Sequence, residues 1–251
     1  AEPDDWFDKY FLFQKAADTE TRRIAQDLFF LDFTDDTIKA FKRPHLLPRD
    51  KVADLIGTAY EGGASIIIVD FVFSEEDYSQ KRNFAGDKKA LDGQERDKIL
   101  RDMLKKVRDD PDSNTKVLLM RSNGANNIEQ DNIFADLVDG KKIFEVTPNH
   151  TEFRSTTRFW LPYIKVTNDD TKKTRILWSV PIMTLVLTYG NLNELRALEQ
   201  QILNDSDNTM NRYSLKINRG GVIEDFPIFE EMGEAGSVER NTGAGQYNRI
   251  Q

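Results

Sequence analysis

The sequence predicts an α/β protein: a mixed sheet with a parallel βαβ core, flanking helices and antiparallel hairpin additions. Three observations carry this. Two apolar runs each end in an acid, Leu28-Phe29-Phe30-Leu31-Asp32 and Ile66-Ile67-Ile68-Val69-Asp70. One amphipathic helix lies between them, opened by Pro48-Arg49 and closed by Gly62-Gly63. After Asn149 the pattern turns to hairpin signals, with a polar Asn168-Asp169-Asp170 turn between two aromatic-rich apolar runs. A βαβ unit over 28–70 would place Asp32 and Asp70 at the same end of neighbouring parallel strands. Ligands of α/β sheets bind at that end.

Each element follows from local pattern. Trp6, Tyr10 and Phe13 recur at spacings of four and three, so Asp5–Gln26 reads as a helix. Leu28–Asp32 is the first strand, and Thr34–Thr37 opens a turn or short helix. Val52, Leu55, Ile56 and Ala59 form the stripe of a helix lying on a sheet, and Gly62 stops it. Ser65–Phe73 is the second strand, and its unbroken Ile and Val content suits a strand covered on both faces. Ser74–Gly93 is polar and aperiodic, hence a long loop. Asp92 and Glu95 are spaced as a capping box for the helix carrying Ile99, Leu100, Met103, Leu104 and Val107. Asp109-Asp110-Pro111-Asp112 ends that helix, and strands follow at Lys116–Met120 and Lys142–Val146.

Arg158–Val166 and Arg175–Trp178 form the hairpin, with Pro162 marking an edge or a bulge. Helices are expected near Pro181–Tyr189 and Leu192–Leu203, then short strands at Tyr213–Ile217 and Gly221–Phe229. The chain thus reads as one domain over 1–251: an N-terminal helix (1–26), an α/β core (27–229) and a polar tail (230–251).

Bulk properties exclude several function classes. The chain has 251 residues, a net charge of −8 and a pI near 5.0. An acidic surface disfavours nucleic acid and anionic lipid head groups. The absence of cysteine removes disulfides, thiolate zinc sites and cysteine nucleophiles. No run reaches the ~20 apolar residues of a membrane span. Ala1-Glu2-Pro3-Asp4-Asp5 is acidic where a signal peptide would be basic, so the chain reads as a mature protein or a piece of a longer one.

The acids Asp32, Asp35, Asp36, Asp70, Glu75, Glu76 and Asp77 all follow the first two strands. Converging carboxylates can hold a hard cation or a cationic ligand, and loop acids also cap helices or stay solvated. Asp32-Phe33-Thr34 lacks the second acid of a D-x-D phosphatase motif. Neither G-x-G-x-x-G nor a P-loop occurs, G-x-S-x-G is absent, and His45 and His150 show no metal spacing. No catalytic residue, metal or cofactor is therefore assigned. Arg49, at a helix start, opposes the helix dipole and needs an acidic partner such as Asp32 or Asp70, or an anionic ligand. Trp160, Tyr163 and Trp178 read as inward aromatics of the hairpin, with a ligand wall as the alternative.

Leu31-Asp32-Phe33, Pro48-Arg49, Gly62-Gly63-Ala64 and Ile67–Phe73, with Glu75–Asp77 behind them, resemble the CHASE2 family of bacterial extracellular sensor domains. The resemblance spans roughly Gln26–Phe229 and includes Arg158-Phe159-Trp160-Leu161 and Val180–Leu187. Of the aromatic, Pro-rich lead-in that often precedes the helix, only Pro48-Arg49 is kept. The resemblance implies a non-catalytic module on the periplasmic side of an inner-membrane receptor, joined through flanking transmembrane helices to a histidine kinase, a nucleotide cyclase, a cyclic-di-nucleotide enzyme or a Ser/Thr kinase. Its stimulus would be a small molecule or a protein, and a homodimer is compatible with it. The candidate ligand residues are Asp32, Arg49, Asp70 and Glu75. The competing reading is a metal-dependent hydrolase using Asp32 and Asp70.

Overall fold

The computed structural model describes residues 29–31, 33–41, 47–84, 89–121, 131–148, 150–153, 156–160, 162–204, 212–231 and 247–249. The contacts divide the chain into two units, residues 1–45 with 84–87, and residues 46–83 with 88–251.

In the first unit a short helix, α1 (Asp35–Ala40), starts where the Thr34 hydroxyl accepts the Thr37 N–H at 3.3 Å. Phe41 is buried between Phe33 and Phe84, edge-on to both, at centroid distances of 6.1 and 5.5 Å. The strand expected over Leu28–Asp32 is corrected for its described part. Phe29, Phe30 and Leu31 lie outside any strand and are 84%, 84% and 49% exposed. An apolar run this short looks the same in sequence whether or not the fold covers it. Asp32, the Asp5–Gln26 helix and His45 lie outside the described residues.

The second unit is built on a parallel three-stranded sheet in the order β1 (Ile66–Val69), β2 (Lys116–Met120), β3 (Ile143–Val146). Its registers pair Ile66 with Lys116 and Val117 with Ile143. Val117, Leu118 and Leu119 are fully buried, as a central parallel strand requires. The βαβ unit is therefore present, but its crossover is the helix after β1 rather than the helix before it.

Two helices pack against each other beside the sheet. α2 (Arg49–Glu61) buries Val52, Ala53 and Ile56. α3 (Gly93–Asp109) buries Leu100, Leu104 and Val107 and opens with a complete Asp92–Glu95 capping box. The described residues of the segment 74–92, between β1 and α3, are irregular apart from a bridge between Arg82 and Leu91.

The expected Arg158–Val166 strand is two strands separated at Pro162. β5 (Thr156–Trp160) pairs with β4 (His150–Phe153), and β6 (Tyr163–Thr167) pairs with β7 (Thr174–Trp178). Pro162 has no N–H for a ladder, while its carbonyl takes the Ser179 N–H at 2.9 Å. His150, read as a loop residue, lies in β4. Thr147, just after β3, donates its N–H to the Trp178 carbonyl at 2.8 Å and bridges Ser179, tying the hairpin to the sheet.

Beyond it follow α4 (Val180–Tyr189), α5 (Leu192–Asn204) and the long hairpin β8 (Arg212–Arg219) and β9 (Val222–Glu231). The hairpin turns at Gly220 and Gly221, both at positive φ. The polar tail contributes β10 (Tyr247–Arg249), which adds to β9. One core joins sheet, hairpins and helices through Leu118, Val146, Trp178, Ile182, Leu198 and Leu215.

Candidate functional site

At the carboxyl end of β1 the chain leaves the sheet at Asp70, which is exposed. The following acid-rich segment is held down from the two helix starts. Arg49, the first residue of α2, is 3% exposed. Its guanidinium pairs with the Asp97 carboxylate, donates to the Glu75 carbonyl and lies 5.8 Å from the Phe73 ring centre. Asp97 also accepts the Asp77 N–H at 2.9 Å. Asp50, the next residue of α2, pairs with Arg96, the residue before Asp97, and both are buried. Arg96 also donates to the Arg82 carbonyl at 2.9 Å. Two adjacent residues on each helix thus form two ion pairs of opposite sense. The unfavourable position of a cation at a helix start is compensated by Asp97.

The segment returns to α3 through a close approach. Asp77 accepts the Ser79 N–H at 2.8 Å, and Ser79 accepts the Gly93 N–H at 3.0 Å. A Cβ on Gly93 would stand 2.0 Å from the Asp77 carbonyl oxygen. Glycine is required there because the backbones touch.

Of the four candidate residues, Arg49 and Glu75 are brought into contact, through the Glu75 backbone. The Asp70 and Glu75 side chains are exposed on the segment that Arg49 anchors. Asp32 lies outside the described residues. The metal-site alternative rests on Asp32 and Asp70 together; among the described residues no group of three or more His, Asp or Glu is placed to hold a metal ion.

A second charged cluster, missed from sequence, sits between β2 and β3. Glu145, with 3% of its side chain exposed, accepts from Arg121 just after β2, from Asn132 at 2.6 Å and from Arg175 of β7 at 2.5 Å. Burial pushes its carboxyl upward, but Arg175, Arg121 and Asn132 outweigh that and hold it below the usual range. The available signal was a lone charge inside the apolar run Ile143-Phe144-Glu145-Val146. Tyr163 and Trp178 stack edge-on at 5.4 Å inside the core, as inward aromatics of the hairpin. The side chain of Trp160 lies outside the described residues.

An open cavity of about 390 Å³ lies at the opposite, amino end of β1 and β2, lined by Tyr60, Ser65, Asp110, Asp112, Ser113 and Thr115. The Tyr60 hydroxyl donates to Asp110 and, with the Asp112 N–H at 2.9 Å, holds that carboxyl below its usual range.

The parallel core, antiparallel additions and helix-anchored acidic segment define a mixed α/β fold. The family model of the CHASE2 domain matches residues 5–228, and the chain belongs to that family of extracellular sensor domains. No curated protein and no solved structure matches the chain with significance. No helix among the described residues is long and apolar enough to cross a membrane.

Proposed function

We propose that this chain is the periplasmic sensor domain of a bacterial inner-membrane receptor, non-catalytic itself and coupled to a kinase, cyclase or cyclic-di-nucleotide output. The family match over 5–228 is the observation that carries this reading. The chain acts as one domain, and its stimulus, a small molecule or a protein, binds at the carboxyl end of β1. Asp70 and Glu75 supply the polar contacts, and Arg49 positions the segment beneath them. The exposed Asp70 and Glu75 side chains on an anchored segment support this placement. Signalling is a population shift: the stimulus binds one arrangement of the domain, and of a homodimer that it forms, more tightly than another. Flanking transmembrane helices carry the difference inward.

Two measurements test this. An alkaline phosphatase reporter joined to the domain in the full-length receptor is expected to be active, because that enzyme matures only outside the cytoplasm. A thermal-shift screen of metabolites against the wild-type chain and Asp70→Asn is expected to find a compound that stabilises only the former. A ligand at 100 times its dissociation constant adds ~2.7 kcal/mol. Asp70→Asn itself changes stability by no more than ~0.5 kcal/mol, since Asp70 is exposed. An inactive reporter sinks the receptor assignment. Magnesium-dependent phosphatase activity that disappears in Asp32→Asn replaces it with the hydrolase.

A further inference from the structure

We infer that Glu199 is a proton-responsive latch between α5 and the β6–β7 hairpin, through its hydrogen bond with the indole of Trp178. Glu199 lies on the half-buried flank of α5, next to Leu195, Leu198 and Ile202, which are all core residues. Trp178, the last residue of β7, is 3% exposed. Its Nε1–H donates to Glu199 Oε1 at 2.6 Å, a short contact of the charge-assisted kind. The same indole packs edge-on against Tyr163 at 5.4 Å, and the Trp178 carbonyl accepts the Thr147 N–H at 2.8 Å. A change at this carboxylate therefore acts on a side chain that belongs to hairpin, sheet and helix at once.

The surroundings favour proton uptake. Burial raises the Glu199 carboxyl above its ordinary range, and the Trp178 bond, Arg196 and Arg175 offset this only in part. Arg196, on the same helix, spends a guanidinium N–H on the Gly140 carbonyl at 2.8 Å, and Arg175 of β7 pairs with Glu145. α4 brings one titratable side chain, Tyr189, which is exposed. β8 turns Tyr213 and Leu215 into the core and leaves Lys216 exposed. Both cations near Glu199 thus have competing partners. Taking a proton from solvent leaves a neutral acid whose bond to the indole is weaker. A domain outside the cytoplasm meets acid directly, so the latch would give this one an input separate from the rim at Asp70.

The test uses the full chain with Trp6 and Trp160 changed to Phe, so that Trp178 is the only indole. Its fluorescence should titrate with a midpoint above the ordinary glutamate value of ~4.3. Glu199→Gln, which keeps the shape and the acceptor oxygen, should abolish that titration. Arg196→Gln, which removes a cation that favours the charged form, should move the midpoint to higher pH. A midpoint at or below the ordinary value overturns the inference. So does a titration that persists in Glu199→Gln, or one that Arg196→Gln leaves in place. If Glu199→Gln does not fold, the midpoint and its response to Arg196→Gln decide the question by themselves.

Discussion

Arg49→Met separates anchoring from ligand binding at this residue. Methionine keeps the apolar stem and removes the guanidinium. With it go the ion pair to Asp97, the hydrogen bond to the Glu75 carbonyl and the contact over Phe73. The Asp97 carboxylate, 14% exposed, keeps the Asp77 N–H as a donor. Removing one member of a buried ion pair costs ~3–5 kcal/mol, chiefly because the other charge stays buried. The Arg49 side chain is 4% exposed, so solvent does little to soften that loss. A typical domain is stable by only ~5–15 kcal/mol, so the variant should unfold at clearly lower urea. The assay is urea unfolding followed by circular dichroism, with an unchanged m-value showing that stability and not the compactness of either state has changed. The double variant Arg49→Met/Asp97→Leu should be more stable than Arg49→Met by ~2 kcal/mol or more, because it leaves no orphaned charge. A loss below ~1 kcal/mol for Arg49→Met, the range of an exposed pair, would refute the reasoning and leave Arg49 available for a ligand.

Two further perturbations probe the same framework. Gly93→Ala places a methyl 2.0 Å from the Asp77 carbonyl oxygen and should cost at least ~2 kcal/mol in thermal unfolding, and a change under ~0.5 kcal/mol would mean the segment gives way freely. Glu145→Gln leaves Arg121 and Arg175 without their shared carboxylate and should cost ~3 kcal/mol at neutral pH, the low end of the buried range because Arg175 is 39% exposed. The Glu145 carboxyl is held below its ordinary range in the folded state, so its stabilisation is complete above the ordinary glutamate value and is lost as pH falls through the folded one. The variant should therefore show a flatter acid limb in a stability–pH profile, and an acid limb identical to wild type would contradict the assignment.

The sheet was legible where composition alone decides. Lys116–Met120 is a strand at the expected bounds because branched apolar residues covered on both faces leave no periodic signal but an unbroken run. The start of α3 was legible because a capping box is a local device of four residues. Phe29–Leu31 is as apolar as a strand, and nothing local distinguishes it from Ile66–Val69. That difference lies in what covers each segment. Arg49 was legible as a residue in need of an acid, but its partner stands 48 positions away, and no spacing rule reaches that far. Arg96 and Asp97 stand in a helix rich in charges, so nothing in the sequence singles them out. Glu145 could have been found, since a single carboxylate inside a buried strand demands cations, though not which ones.

The pairing also constrains how a sensor built this way can respond. Acids in and beside the segment differ in what their side chains meet. Asp77 and Asp97 accept backbone N–H groups or a guanidinium, while Asp70 and Glu75 present exposed side chains. A stimulus that displaced the whole segment would have to break the Arg49 bond to the Glu75 carbonyl and the Asp77 N–H bond to Asp97, each to a charged group and together ~3–6 kcal/mol. Coupling between sites in allosteric proteins is usually ~1–3 kcal/mol, so a displaced-segment state would lie beyond the reach of an ordinary stimulus. A ligand at Asp70 and Glu75 is therefore better matched to a response that leaves those two bonds intact. In that response the segment moves together with the α2 and α3 starts to which it is tied. Arg49→Met then has a second signature: it should loosen the link between binding and output as well as the fold, whereas Asp70→Asn should weaken binding alone.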